Sequence, residues 1–306
     1  MTYTRETIAS FDQLLSHLAE RKIQKYVAVV WPEDEHTREA FEKAAEEGFI
    51  VPILFASENT YKHYDGQFET ILADSPEDAS TKAVAYVREH KADVIMKGFV
   101  NTDVLLRAVL NKETGILPKG NVLTHIASAK LPDYPKLIFF TDAAVIPFPT
   151  NEQREAQVEY IVSFCHTFGI ETPRISLIHC SEKPDGRHFP YTEHYLQLKE
   201  QAKAGKFGKC VIDGPLDLKT SCSPEALHTK KLDSPIHGEA DALIMPDIEA
   251  GNLFYKAITL FGHAETAAVL QGPSVPVVLP SRGDTVESKL YSLALATLIS
   301  NSRGVI

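Results

Sequence analysis

A chain of 306 residues is long for a single core, so two domains are expected. Apolar residues at 44% and charged residues at 24% are the proportions of a soluble globular protein. A formal charge of -10 argues against general affinity for nucleic acid or for an anionic membrane surface, so any anionic ligand needs local cations.

Residues 1–6 run into a polar amphipathic segment, unlike a secretory leader, and no stretch is apolar for long enough to span a bilayer. Cys165, Cys180, Cys210 and Cys222 show no CxxC spacing and suit a reducing compartment, so a cytoplasmic location is expected. Residues 8–18 carry Phe11, Leu14, Leu15 and Leu18 on one helical face. The spacing then predicts a strand over 26–31, a loop over 32–35, a helix over 37–47 stopped by Gly48, and a strand over 49–55. An irregular stretch at 59–67 leads to 68–72. Ser75-Pro76 opens a helix ending near His90, with serine at the cap and proline at the first position. A strand over 93–96 and a helix over 102–111 follow.

Strands alternating with helices indicate parallel βαβ units and open sheets, with ligands beyond the carboxyl ends of the strands. Residues 122–129 and 136–141 are strands joined like a hairpin by Lys130-Leu131-Pro132-Asp133-Tyr134-Pro135, which marks a change of domain. Thr150 and Gln153 form a capping box for a helix reaching about Gly169. A strand over 174–179, a helix over 195–204, a strand over 210–216 and a short helix over 224–230 come next. The apolar run 242–245 ends at Pro246. A helix is expected from near Asn252, whose cap and neighbouring Gly251 would leave free amides for an anion. A strand over 275–279 and a helix over 285–300, with Asp284 and Glu287 as a capping box, complete the chain.

Met96 to Ala108 aligns without a gap onto Met245 to Ala257, placing Arg107 opposite Lys256. Both segments are strand tips feeding a helix, and this is either pseudo-symmetry or convergence of two βα units. Ser281-Arg282-Gly283 lies between a strand tip and a helix start, where a guanidinium can hold phosphate bidentately. The alternative is a structural pairing of Arg282 with Glu249 or with a carbonyl. Asp213 at a strand-end turn orients a basic group, acts as a base, or satisfies its own backbone as an Asx turn. Asp142 after the 136–141 strand and Lys97-Gly98 at the mouth of 93–96 are further ligand candidates. The histidines form no metal pattern, and HExxH, GxGxxG, P-loop and GxSxG motifs are absent from the sequence.

Taken together, the runs Met96-Lys97-Gly98-Phe99-Val100-Asn101-Thr102, Leu106-Arg107-Ala108-Val109-Leu110, Thr141-Asp142-Ala143-Ala144, Val211-Ile212-Asp213-Gly214-Pro215-Leu216, Pro246-Asp247-Ile248-Glu249-Ala250-Gly251-Asn252 and Ser281-Arg282 with Glu287-Ser288-Lys289-Leu290 resemble the phosphate acetyltransferase and phosphate butyryltransferase family, the butyryl branch most. The resemblance implies reversible transfer of a short or branched acyl group between CoA and inorganic phosphate, with CoA as a substrate, no bound cofactor and no metal. It implies an α/β fold of two αβα domains with open, mostly parallel sheets and a cleft between them, an isocitrate/isopropylmalate dehydrogenase-like architecture. Residues 1–125 plus 270–306 would form the first domain and 126–269 the inserted second, in a homodimer. Ser281, Arg282, Asp213 and Glu287 would be catalytic; Lys97, Gly98, Asn101, Arg107, Asp142, Gly251, Asn252 and Lys256 would hold phosphate or CoA. Ser288 stands where phosphate acetyltransferases place an aspartate proposed as the base for the CoA thiol. Two rival readings keep the scaffold: a CoA or acyl-phosphate sensor without catalysis, and a metal- and NAD-dependent hydroxy-acid dehydrogenase using Asp213, Asp241 and Asp247.

Overall fold

The computed structural model describes residues 7–281 and 283–300. In chain order it runs α1 (Phe11–Glu20), β1 (Lys25–Val30), α2 (Glu35–Glu46), β2 (Ile50–Ala56), α3 (Glu58–His63), β3 (Glu69–Leu72), α4 (Pro76–Arg88), β4 (Val94–Lys97) and α5 (Thr102–Val109). Then come β5 (Thr124–Lys130), β6 (Leu137–Thr141), α6 (Asn151–Thr167), β7 (Arg174–Ile178), α7 (Tyr191–Lys203), β8 (Val211–Leu216), α8 (Leu218–Cys222), α9 (Pro224–Thr229), β9 (Ala242–Ile244) and α10 (Ile248–Leu260). The chain closes with β10 (Glu265–Gln271), β11 (Val277–Val278) and α11 (Val286–Ser300). Among the described residues no helix is long and apolar enough to cross a membrane.

The chain divides into two compact units, one built from Phe11–Leu123 and the stretch from Glu265 onward, the other from Thr124–Ala264 with the N-terminal residues up to Ser10. In the first unit the strands lie in the order β3-β2-β1-β4-β11-β10. All neighbours are parallel except β10 and β11. Val27–Val30 and Val94–Met96 are wholly buried, the unbroken apolar runs expected of parallel strands covered on both faces. The register sets Val30 beside Lys97, so the ends of β1 and β4 open at one place. Gly98 makes that possible: a Cβ there would lie 2.5 Å from the Trp31 carbonyl oxygen. Phe99 N–H instead donates to that carbonyl at 2.7 Å. Helix α11 is buried from Lys289 nearly to its end, and Tyr291 stacks on Phe11 with ring centres 4.5 Å apart.

In the second unit the order is β5-β6-β9-β7-β8. The hairpin expected at 130–135 is present, with β5 and β6 antiparallel and Ala127 opposite Phe140; the other neighbours are parallel. Phe139 on β6 packs against Phe164 and Phe168 at 5.2 and 4.9 Å. The Thr150–Gln153 capping box closes at both ends.

Several expectations need correction. Helix α10 begins at Ile248, not near Asn252; Asp247 is its cap, accepting from Ala250 N–H at 2.9 Å. Gly251 N–H is already bonded inside the helix, to Asp247 O at 3.2 Å, so this turn offers no free amide there. Helix α5 starts at Thr102, so the gapless alignment of the two segments does not match their helix starts. Thr285, not Asp284, takes the Ser288 N–H before α11, while Asp284 reaches back to Ser281 N–H at 2.7 Å. Strand β10 and helices α3 and α8 were not expected from the pattern.

Candidate active site

In the first unit, the carboxyl ends of β1 and β4 and the turn after β11 surround a cavity of 260 Å³. Parallel strands place their binding sites at such ends. Asp34, Glu35, His36 and Thr37 line it from the cap and first turn of α2, Lys97 from the end of β4, Gly98 and Phe99 from the loop after it, Pro280 and Ser281 from the turn, and Lys289 from α11. Three residues singled out from the sequence, Lys97, Gly98 and Ser281, thus meet in one place. Arg282 lies outside the described residues.

The cavity wall carries balanced charge. Lys289 is 3% exposed and donates to Asp34 Oδ1 at 3.3 Å and to Thr37 Oγ1 at 3.4 Å. Asp34 also caps α2, accepting from Thr37 N–H at 2.9 Å. Burial alone would raise the Asp34 carboxyl, but the Thr37 hydrogen bonds and the Lys289 ammonium outweigh it and hold the group below its usual range. Lys97 is 5% exposed, with Nζ reaching Gly98 O at 3.2 Å and Val100 O at 3.3 Å. Ser281 is exposed, and its turn is pinned by Asp284. A buried ammonium, a hydroxyl and the start of α2 together suit an anion whose charge grows during reaction.

The other predicted residues lie elsewhere. In the first unit, Glu287 is exposed in the first turn of α11, outside the cavity lining. Asn101 is the cap residue of α5 without a side-chain capping bond, and Arg107 pairs with Asp103 at 3.4 Å on its exposed face. In the second unit, Asp142, Gly251 and Asn252 form one corner. Asp142 is 1% exposed, and its oxygens accept from Thr124 Oγ1, His125 N, Ala144 N and Val145 N at 2.8–3.0 Å. Asn252 Nδ2 donates to Ala143 O at 3.0 Å. These contacts fasten the loop after β6 to α10. Lys256 is exposed, 5.1 Å above the Tyr255 ring. Asp213 has both oxygens engaged, one by Lys199 Nζ at 2.5 Å and one by Ser234 Oγ at 2.6 Å. The dehydrogenase reading needs Asp213, Asp241 and Asp247 together. Each has its own structural partner: Asp241 holds Lys136 and Arg174 N–H, and Asp247 caps α10.

Sequence reasoning missed Asp34, His36 and Lys289. The one usable signal was Lys289, the one basic residue near the head of a largely apolar helix, where burial demands a partner.

Residues 63–297 match the family model described as Phosphate acetyl/butaryl transferase. A phosphate butyryltransferase of Clostridium acetobutylicum is 34% identical over 303 residues, covering 97% of this chain and 100% of that protein. A phosphate acetyltransferase of Thermotoga maritima is 32% identical, covering 95% and 100%. The crystal structure of a branched-chain phosphotransacylase from Enterococcus faecalis superposes with a TM-score of 0.80 at 29% identity, covering 91% of this chain and 99% of that one.

Proposed function

Because this chain belongs to the phosphate acetyl/butyryl transferase family, we propose that it transfers a short or branched acyl group between CoA and inorganic phosphate: acyl-CoA plus phosphate gives acyl phosphate plus CoA. The carrying observation is similarity along nearly the whole chain to a phosphate butyryltransferase. The cavity holding Lys97, Gly98 and Ser281 supports placing the chemistry in the first unit. Phosphate attacks the acyl carbonyl in one direction and the CoA thiolate in the other. Both attacks build a tetrahedral oxyanion that needs donors aimed at the developing charge. Ser281 is assigned as that donor or as the thiol's partner, Arg282 as the phosphate cation, and Lys97 as a second cation, lining the cavity with Ser281. A cavity of 260 Å³ takes the reacting phosphate and acyl carbon, and leaves the bulk of CoA to lie outside it. Holding the two reactants in line contributes up to roughly 7–11 kcal/mol toward the barrier. Asp142, Asp213, Gly251 and Asn252 act on this reading as supports of the second unit's strand-end loops.

The same reading takes the chain as two αβα domains, 1–125 plus 270–306 and 126–269, which differ from the two compact units chiefly in giving the residues up to Ser10 to the first domain, in a cytoplasmic homodimer with no resident metal. Exposed Leu253, Leu260 and Phe261 on and just beyond α10, with Phe148, give the second unit an apolar surface suited to a second copy.

The test is thiol release from butyryl-CoA with and without phosphate, then from acetyl-, isobutyryl- and isovaleryl-CoA. Phosphate-dependent release is expected, with the four-carbon and branched substrates ahead of acetyl-CoA. Phosphate-independent release would make the protein a thioesterase, and binding of CoA without release would make it a sensor. Arg282→Ala should remove most turnover; unchanged kinetics with phosphate varied would sink the assignment.

A further inference from the structure

We propose that His36 is the proton acceptor for the CoA thiol; the proposal rests on the reading of the Lys97–Ser281 cavity as the site of acyl transfer. Thiolate, not thiol, attacks the acyl carbon, so the S–H proton must go to a base as the C–S bond forms. Among the described lining residues three side chains can accept it: Asp34, Glu35 and His36. The remaining charged groups facing the cavity are the ammoniums of Lys97 and Lys289, which donate.

Asp34 is already committed. It caps α2 and pairs with Lys289, and those same contacts keep its carboxylate a weak proton acceptor. Glu35 offers a carboxylate, whose ordinary proton affinity is far below that of a thiol. Imidazole is the better match, because a general base works best when its affinity lies near that of its partner and near neutrality. His36 stands in the first turn of α2 with its side chain exposed at the cavity, and no hydrogen bond or ion pair among the described residues holds its ring. It therefore reaches both substrate and solvent, as a group that must reload each turnover should. Once protonated, the imidazolium would sit beside Asp34 and Glu35, which stabilise its charge.

The step balances. In the direction of acyl-CoA formation, CoA–SH gives its proton to the imidazole and the thiolate attacks the acyl phosphate. The C–S bond forms, the C–O bond to phosphate breaks, and the imidazolium returns the proton to the departing phosphate. In reverse, the imidazole takes the proton of the attacking phosphate and delivers it to the leaving thiolate.

The experiment measures acyl-CoA formation from butyryl phosphate and CoA by wild type, His36→Gln, His36→Ala and Ser281→Ala across about pH 6 to 9. The range brackets a thiol of about 8.5. His36→Gln should lower kcat/KM for CoA by about 100-fold or more near pH 7. The deficit should shrink as pH nears the thiol value, where solution supplies thiolate. Added imidazole should restore part of the His36→Ala activity, which a merely structural loss would not allow. A wild-type pH profile in His36→Gln, with Ser281→Ala strongly impaired, overturns the base assignment and leaves the site standing. Wild-type rates in both variants overturn the site reading itself.

Discussion

Gly251→Ala puts two opposing effects into one residue. In an exposed helix interior the change should stabilise by about 1 kcal/mol, because alanine gives up less backbone entropy than glycine. Here the added Cβ would sit 2.0 Å from the Asp142 carbonyl oxygen and 2.9 Å from its carbon. Both are backbone atoms of a loop whose carboxylate is tied by four donors, so the loop has little room to yield. Overpacking of this kind costs about 1–3 kcal/mol and more where the neighbour is rigid. The clash outweighs the propensity gain, and a net loss of about 2 kcal/mol is expected. For a unit of this size that lowers Tm by about 4–8 °C. Urea and thermal unfolding should be compared with Gly283→Ala, where a Cβ meets nothing within 4 Å. A Gly251→Ala protein as stable as wild type, or more so, would refute the close packing of α10 on the loop after β6.

Asp142→Asn replaces one acceptor oxygen by an amide that faces N–H donors. It should cost about 2–4 kcal/mol in urea unfolding, since groups left unpaired in a buried site lose their full hydration. Lys289→Met leaves Asp34 without its ammonium. Breaking a buried pair costs about 3 kcal/mol or more. Asp34 is 27% exposed, which brings the expected loss to about 1–2 kcal/mol. Because the folded Asp34 carboxyl lies below its unfolded value of 3.8, its contribution is present above that pH and fades as pH falls through the folded value. The Lys289→Met protein should therefore lose less stability than wild type on acidification below about pH 4, and parallel acid curves would count against the pair. Thr150→Ala removes the hydroxyl half of the capping box on α6 and should cost about 1 kcal/mol by thermal melting.

The elements legible in the sequence were those whose stability is local. The apolar runs of β1 and β2, the proline-started α4, the β5–β6 hairpin and the Thr150 box each declare themselves within a few residues. Strand β10 did not, because Glu265, Ala267 and Ala268 at its start have little strand preference of their own. They are held by pairing and by α11, whose Ser288 hydroxyl meets that of Thr266 and whose Ser292 hydroxyl takes the Ala268 N–H. The start of α10 was hidden for a similar reason. A glycine near a predicted helix start reads as part of the turn, whereas Gly251 is inside the helix to let backbone meet backbone. At the candidate site, Lys97, Gly98 and Ser281 were visible because each stands at a strand end. Asp34 and His36 look like surface residues of an amphipathic helix start, and only the folded pairing of β1, β4 and β11 shows that they share a wall.

The strand order of the first unit has a consequence for how the protein is made. Strand β11 lies between β4 and β10, yet its Val277 pairs with Ile95 across more than half the chain. A growing polypeptide thus carries β4 with an unpaired edge until its last tenth is synthesised, while 124–264, being continuous, can close earlier. An open, buried-type edge is a template for association with other chains. A product truncated ahead of β11 should accumulate as aggregate, and pairing of such distant segments should make completion of this unit the slow step of folding.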